Sequence, residues 1–298
     1  MFRPPDGLCN RGRSPVAQPL ERPGGQLGEY PGIRPIEQPL ARLLADPPAH
    51  PAVAEPGPDD GPITLLGLHP AGGSTAFFAG WQRALGERAT VVPVRLPGRD
   101  ATGGHCRAGL PSLVAALERD LGPLLDRPHL LYGHSMGALL AHRLTLRRAA
   151  QGRRLPERLL LGAYPAPHLP HPLHREVGLA DAELVRRLVD FGALPESLRA
   201  DTRWLADRIA LVRAEIGLCG EVSGRSERRP LPCPIEVFSG IDDPLVTAAG
   251  AAAWAEHAGG GFHLHRLPGG HFFPRESPES KDAFFRCLTG LIAPLATV

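Results

Sequence analysis

A serine between two glycines, in the segment Gly133-His134-Ser135-Met136-Gly137, carries the clearest chemical signal in this chain. An apolar run precedes the segment, and a stretch with helical periodicity follows it. In that context the glycines allow a strand and a helix to approach closely around a strained turn, which raises the serine hydroxyl above the edge of a sheet. Ser135 is therefore the candidate nucleophile; the alternative is a glycine-bounded turn with no chemical role.

A serine hydroxyl becomes a strong nucleophile only with an imidazole base and a carboxylate that orients it. Both follow in the order expected of a hydrolase with this serine motif, each directly after an apolar run. The first segment is "SGIDDP", in which the G-x-x-D spacing selects Asp243 and leaves Asp242 as the alternative. The second is "PGGHFF", which contains His271. Aspartate at such a place can instead cap a helix or form a turn.

A tetrahedral intermediate at Ser135 also needs hydrogen-bond donors for its oxyanion. The backbone N–H of Met136, directly after the nucleophile, is one candidate. The loop "HPAGGS" after the first apolar run supplies the other, with the N–H of Ala71 preferred. The alternative is a plain glycine-rich turn. A phosphate-binding loop is disfavoured because no Gly-Lys-Ser/Thr sequence follows.

These residues require elements that bring them to one edge of a sheet. From residue 63 onward, apolar runs alternate with helical spacing, which predicts an α/β fold with a mostly parallel sheet covered on both faces. The predicted strands are 63–68, 90–95, 129–133, 158–163, 235–239 and 263–267. The predicted helices are 74–86, 110–125, 136–150, 247–258 and a last helix with Ser277 as its N-cap and Pro278 at its first position.

Residues 165–232, which we call the lid segment, interrupt this alternation. The segment contains two helical stretches, 181–191 and 201–218, and no convincing strand. A helical insertion between two strands of a parallel sheet is expected to cover the carboxyl edge, where α/β proteins place their sites.

The chain divides into two regions by composition. Residues 1–60 contain 13 of the 34 prolines and no sustained apolar period, which predicts a disordered extension. A functional tail and a misassigned start codon are the two explanations for it. Residues 61–298 form the predicted hydrolase domain.

Charge and cysteine content exclude several classes of protein. A formal net charge of +2 over 298 residues gives no overall field suited to nucleic acid. The five cysteines are widely spaced, and with no apolar run long enough to cross a membrane they indicate a cytoplasmic protein. Three histidines, at positions 168, 171 and 174, have spacing interrupted by prolines, so no metal is predicted.

From residue 63 to the C-terminus the chain resembles the type II thioesterases, discrete α/β-hydrolases that work beside nonribosomal peptide and polyketide synthases. The resemblance rests on "HPAGGSTAFFAGW", "VVPVRLPGRD", "YGHSMGALLAHRL", "LADAELVRRLVDFGALPESL", "PCPIEVFSGIDDPLV" and "LPGGHFF". It implies a Ser135–Asp243–His271 triad under a helical lid, and no cofactor. It also implies that the acyl group arrives on the phosphopantetheine arm of a carrier protein, and that the role is to clear misprimed or stalled carriers.

Two other functions use the same residues or the same fold. One is a small-molecule esterase or a medium-chain thioesterase with the same triad, and the other is a binding protein of hydrolase fold. Carrier proteins are usually acidic, so a basic rim near the site is expected. Its candidates are the arginines at 147, 148, 153 and 154 and the cluster 225–229, although arginine is also common at a solvated helix end.

Overall fold

The computed structural model describes residues 61–97, 109–194, 202–221 and 228–295. The segment predicted to be disordered, residues 1–60, lies outside these ranges. Within them, no helix is both long and apolar enough to cross a membrane.

Six parallel strands form one sheet in the order β2-β1-β3-β4-β5-β6. They are β1 (Ile63–Leu68), β2 (Ala89–Val94), β3 (His129–His134), β4 (Arg158–Gly162), β5 (Ile235–Gly240) and β6 (Phe262–Leu267). Each lies within one residue of its predicted bounds. The central strands are buried on both faces, which explains why they read as continuous apolar runs rather than as alternating ones.

Seven α-helices connect and flank the strands in the described residues. They are α1 (Trp81–Leu85), α2 (Leu110–Leu125), α3 (Met136–Ala150), α4 (Asp181–Asp190), α5 (Thr202–Gly220), α6 (Ala248–Ala252) and α7 (Pro278–Ile292). The predicted bounds of α2 and α3 are confirmed. Helix α7 begins as predicted, with Ser277 and Ser280 forming a reciprocal capping box.

Two predicted helices are shorter than expected. The predicted helix 74–86 is a 3-10 turn, Thr75–Phe78, followed by α1, because Gly80 between them has a φ of 82° and ends the helical path. The predicted helix 247–258 changes after α6 into a 3-10 turn, Ala253–His257. That turn contains Trp254, which is fully buried and donates a hydrogen bond from its indole N–H to the Tyr164 carbonyl oxygen.

Helices cover both faces of the sheet and bury a separate core on each. Residues of α2, α3 and α6 pack with one face in a mainly aliphatic core. On the other face, α1 and α7 pack in a core rich in aromatic rings, where Trp81 contacts both Tyr132 and Phe284. The two cores enclose the central strands on both faces, and the loops at the carboxyl ends of the strands extend from this packed sheet.

The described part of the lid segment contains a 3-10 turn, Pro172–Gly178, followed by α4 and α5. These helices share a small core of their own, which includes Leu184, Leu188 and Ile209. Val212 of α5 lies directly against Gly72, in the loop that follows β1. The lid segment therefore contacts the carboxyl edge of the sheet.

Candidate active site

Ser135 lies in a sharp turn between β3 and α3. Its backbone has φ 53° and ψ −121°, and it is one of two residues other than glycine that have a positive φ in the described residues. Such a conformation costs on the order of 1–3 kcal/mol, so it persists only where the surroundings impose it. Here the Ser135 N–H donates to the Gly162 carbonyl oxygen of β4 at 2.8 Å, which ties the turn to the neighbouring strand.

The two glycines that flank this turn are required by close backbone contacts. A Cβ atom at Gly133 would lie 2.1 Å from the carbonyl oxygen of Gly137. A Cβ atom at Gly137 would lie 2.2 Å from the carbonyl oxygen of Leu68, the last residue of β1. The same tight packing brings the loop after β1 next to Ser135.

His271 and Asp243 join Ser135 through a continuous line of hydrogen bonds. The Nε2 atom of His271 lies 3.1 Å from the Ser135 hydroxyl, and its Nδ1 atom lies 3.0 and 3.2 Å from the two carboxylate oxygens of Asp243. The side chains of His271 and Asp243 are 5% and 0% exposed. This geometry places a base beside the hydroxyl and an acceptor behind the base, as hydroxyl activation requires.

Asp243 is positioned by its own loop. One of its carboxylate oxygens accepts hydrogen bonds from the backbone N–H groups of Leu245 and Val246, at 2.8 and 3.1 Å. The neighbouring residue Asp242 is exposed and bonds through its backbone N–H to the Gly269 carbonyl oxygen. The structure therefore brings Asp243 to the imidazole and turns Asp242 towards solvent.

A second buried histidine holds the loop of His271 in place. The Nε2 atom of His134 lies 2.8 Å from the His271 carbonyl oxygen, and its Nδ1 atom lies 2.8 Å from the Tyr132 hydroxyl. A carbonyl oxygen can only accept, so Nε2 carries the proton and Nδ1 accepts from the hydroxyl. Burial lowers the pKa of His134 well below its ordinary value, which keeps the ring neutral in this role.

The predicted oxyanion donors belong to α3 and to the loop after β1. Met136 is the first residue of α3, where the backbone N–H has no acceptor inside the helix. Ala71 follows β1 in the loop that contacts the turn through Leu68 and Gly137. Among the described residues, no hydrogen bond uses the Ala71 N–H. The use of these two N–H groups as oxyanion donors stays a prediction.

Two of the three lid-segment histidines that were considered as metal ligands contact neighbouring rings. His168 lies 2.9 Å from the ring of His257, and His171 stacks on Tyr164. The side chain of His174 lies outside the described residues. Among those that are described, no group of three or more potential ligands is arranged to hold a metal.

The arginines after Ser135 pair with nearby carboxylates. Arg147 contacts Glu118, Arg148 and Arg153 contact Asp126, and Arg154 contacts Glu157. Arg228, in the second predicted cluster, is 61% exposed and pairs with Glu256 at 2.7 Å. Arg225 lies outside the described residues.

Comparison with known proteins identifies the family. A thioesterase domain model matches residues 63–290. RedJ, a thioesterase from the prodiginine biosynthetic pathway in Streptomyces coelicolor, is 32% identical with a TM-score of 0.72, covering 84% of this chain and 98% of RedJ. BorB, a type II thioesterase from the borrelidin biosynthetic cluster, is 31% identical with a TM-score of 0.66, covering 83% and 95%.

One curated relative has a different kind of name. Linear gramicidin dehydrogenase LgrE of Brevibacillus parabrevis is 31% identical over 221 residues, covering 73% of this chain and 84% of LgrE. Its name describes a dehydrogenase, whereas the family model and both solved structures are thioesterases. The predicted resemblance to type II thioesterases and the predicted fold are confirmed: the chain belongs to the thioesterase family and is a thioester hydrolase of the α/β-hydrolase superfamily.

Proposed function

We propose that Ser135, His271 and Asp243 carry out thioester hydrolysis in two steps. His271 takes the hydroxyl proton as Ser135 attacks the carbonyl carbon, and Asp243 holds the imidazole in the required tautomer. A C–O bond to the serine forms, the C–S bond breaks, and the thiol leaves with the proton from His271. Water activated by His271 then hydrolyses the acyl-enzyme and releases the acid. The hydrogen-bonded line from Ser135 to Asp243 is the observation that carries this proposal.

The oxyanion of each tetrahedral intermediate is bound by the backbone N–H groups of Met136 and Ala71. Their support is the position of Met136 at the start of α3 and the contact between the loop after β1 and the nucleophile turn. Donors held rigidly in this way act without reorganising during the reaction, which makes them more effective than water.

The substrate of this proposal is an acyl group on the phosphopantetheine arm of a carrier protein, and the role is to clear misprimed or stalled carriers of a nonribosomal peptide or polyketide synthase. The resemblance to discrete thioesterases of biosynthetic pathways supports it. The exposed Arg228 of the lid segment is a candidate contact for an acidic carrier.

The test compares one acyl group on two supports. Hydrolysis of an acetyl group is measured on a phosphopantetheinylated carrier protein and on free coenzyme A, with Ser135→Ala as the control. We expect kcat/KM to favour the carrier, and we expect Ser135→Ala to lose at least about 10³-fold in kcat because the nucleophile is gone. Equal turnover on both supports would favour the alternative of a thioesterase with no preference for a carrier, such as a medium-chain thioesterase. Turnover of simple esters alone would favour a small-molecule esterase. Unchanged hydrolysis by Ser135→Ala would contradict the assignment of the nucleophile.

A further inference from the structure

Glu215 of α5 has a buried carboxylate that the proposed chemistry does not use. The residue is only 3% exposed. One of its carboxylate oxygens accepts a hydrogen bond from the Gly72 N–H at 2.7 Å. Burying a carboxylate is costly unless it is well hydrogen-bonded, and a bond from a backbone N–H to a carboxylate is among the stronger kinds. The contact joins the lid segment to the loop after β1.

In the loop after β1, every backbone N–H of residues 70–73 except one has an acceptor. Pro70 has no N–H, and the Gly73 N–H donates to the Pro70 carbonyl oxygen at 3.0 Å. The Gly72 N–H donates to Glu215. Only the Ala71 N–H, between Pro70 and Gly72, is left without an acceptor among the described loop residues 70–73. Glu215 therefore keeps Gly72 from serving as the donor and leaves that role to Ala71.

The loop conformation also depends on direct contact with α5. Gly72 has a φ of +66°, and a Cβ atom built on it would lie 2.3 Å from a methyl carbon of Val212. Val212 and Glu215 are three residues apart in α5 and so lie on the same side of the helix. One side of α5 thus contacts the Gly72 backbone through both an apolar group and a carboxylate.

We propose that Glu215 is a positioning residue for the oxyanion site: by holding the Ala71–Gly72 peptide, it aims the Ala71 N–H at the reacting carbonyl oxygen. This inference rests on the proposed function, because it takes Ala71 as an oxyanion donor. Its consequence is that the lid segment contributes to the chemical step as well as to covering the site. Displacement of α5 removes half of the oxyanion site.

Three substitutions separate the acceptor from the charge. Glu215→Gln keeps an oxygen acceptor at the same distance and removes the charge. Glu215→Asp keeps the charge but withdraws the acceptor by about one C–C bond length, and Glu215→Ala removes both. Glu221 provides the matched control, because it lies at the end of the same helical segment and accepts from the Leu110 N–H at 3.0 Å, outside the loop after β1. The control variant is Glu221→Ala.

Two measurements on each variant report the oxyanion site. The first is kcat and KM for hydrolysis of a short acyl thioester of coenzyme A. The second is the inhibition constant of a trifluoromethyl ketone carrying the same acyl chain, which forms an oxyanion when a serine adds to it. Near-ultraviolet circular dichroism checks that each variant has the native fold.

We expect Glu215→Asp and Glu215→Ala to lower kcat about 10- to 100-fold while KM changes less than about threefold, since loss of a complete oxyanion donor costs about 10²- to 10³-fold. The inhibition constant should rise by a similar factor. Glu215→Gln and Glu221→Ala should remain within about threefold of the unmodified protein.

Three results would overturn the inference. The first is unchanged kcat in Glu215→Asp, and the second is Glu215→Asp being more active than Glu215→Gln, which would show that charge rather than the acceptor position matters. The third is an equal loss in Glu221→Ala and Glu215→Ala. If Glu215→Ala does not fold, the Gln and Asp variants decide the question. Failure of the unmodified protein to hydrolyse thioesters would instead contradict the proposed function.

Discussion

Two adjacent aspartates, Asp242 and Asp243, differ completely in their surroundings. The carboxylate of Asp243 is buried between the imidazole of His271 and two backbone N–H groups, whereas Asp242 is exposed. A carboxylate that accepts a hydrogen bond from the imidazole keeps the ring in one tautomer. The exposed neighbour has no equivalent influence on the imidazole.

Substitution of each aspartate by asparagine tests this difference. We expect Asp243→Asn to lower kcat by about 10³- to 10⁴-fold, because an amide can donate to Nδ1 and stabilise the wrong tautomer. Asp242→Asn should stay within about threefold. Steady-state hydrolysis of an acyl thioester measures both. A larger loss in Asp242→Asn than in Asp243→Asn would show that the roles are reversed.

Sequence spacing predicted the three side chains that the structure joins by hydrogen bonds, but it did not predict the residues that support them. Ser135, Asp243 and His271 each follow a strand and belong to short motifs, so local patterns indicate them. His134 and Glu215 make their decisive contacts with residues 137 and 143 positions away. No local pattern encodes such a contact, since it exists only when the folded chain brings the two segments together.

The elements were predicted most accurately where one local signal dominates. Helix α2 and helix α3 match their predicted bounds because long apolar periodicity specifies them. The predicted helix 74–86 was wrong at Gly80, whose positive φ depends on how Phe77, Phe78 and Trp81 enter the aromatic core. A sequence pattern shows that glycine permits such a φ but not that the fold uses it.

The junction of β1, β3 and α3 leads to a prediction about two glycines. Gly137→Ala places a methyl group 2.2 Å from the Leu68 carbonyl oxygen, so backbone must move. We expect a loss of about 2 kcal/mol or more in the free energy of unfolding, together with reduced kcat, because Ser135 and the loop after β1 both shift. Denaturant unfolding and thioester hydrolysis measure the two effects.

Gly290 in α7 is the matched control for that substitution. A Cβ atom there has no neighbouring atom within 4 Å, and the residue is exposed. Gly290→Ala should therefore raise the free energy of unfolding by about 0.5–1 kcal/mol through helix propensity and leave kcat unchanged. Similar effects at both glycines would show that close packing at the turn is not what requires glycine.

For the molecule as a whole, the described residues contain every residue of the proposed site. The triad, both proposed oxyanion donors, and the sheet that positions them all lie between residues 61 and 295. The family model also begins after residue 60, at residue 63.

Removal of residues 1–60 tests the division of the chain. A protein that begins at residue 61 should unfold at a temperature within about 2 °C of the full chain, with kcat/KM within about twofold, because a segment of this composition buries little apolar surface. Thermal unfolding and hydrolysis of an acyl thioester measure both quantities. A large loss of either would show that the segment belongs to the folded domain.

The backbone of Ser135 has a consequence for how this protein responds to selection. The position with a strained φ of 53° is the one where glycine would relieve the strain, yet glycine there has no hydroxyl to attack a substrate. The most stable residue and the reactive residue at this position are therefore different. A selection for thermal stability alone would therefore favour glycine at this position and a protein without activity. Such a selection must score thermal stability and turnover together.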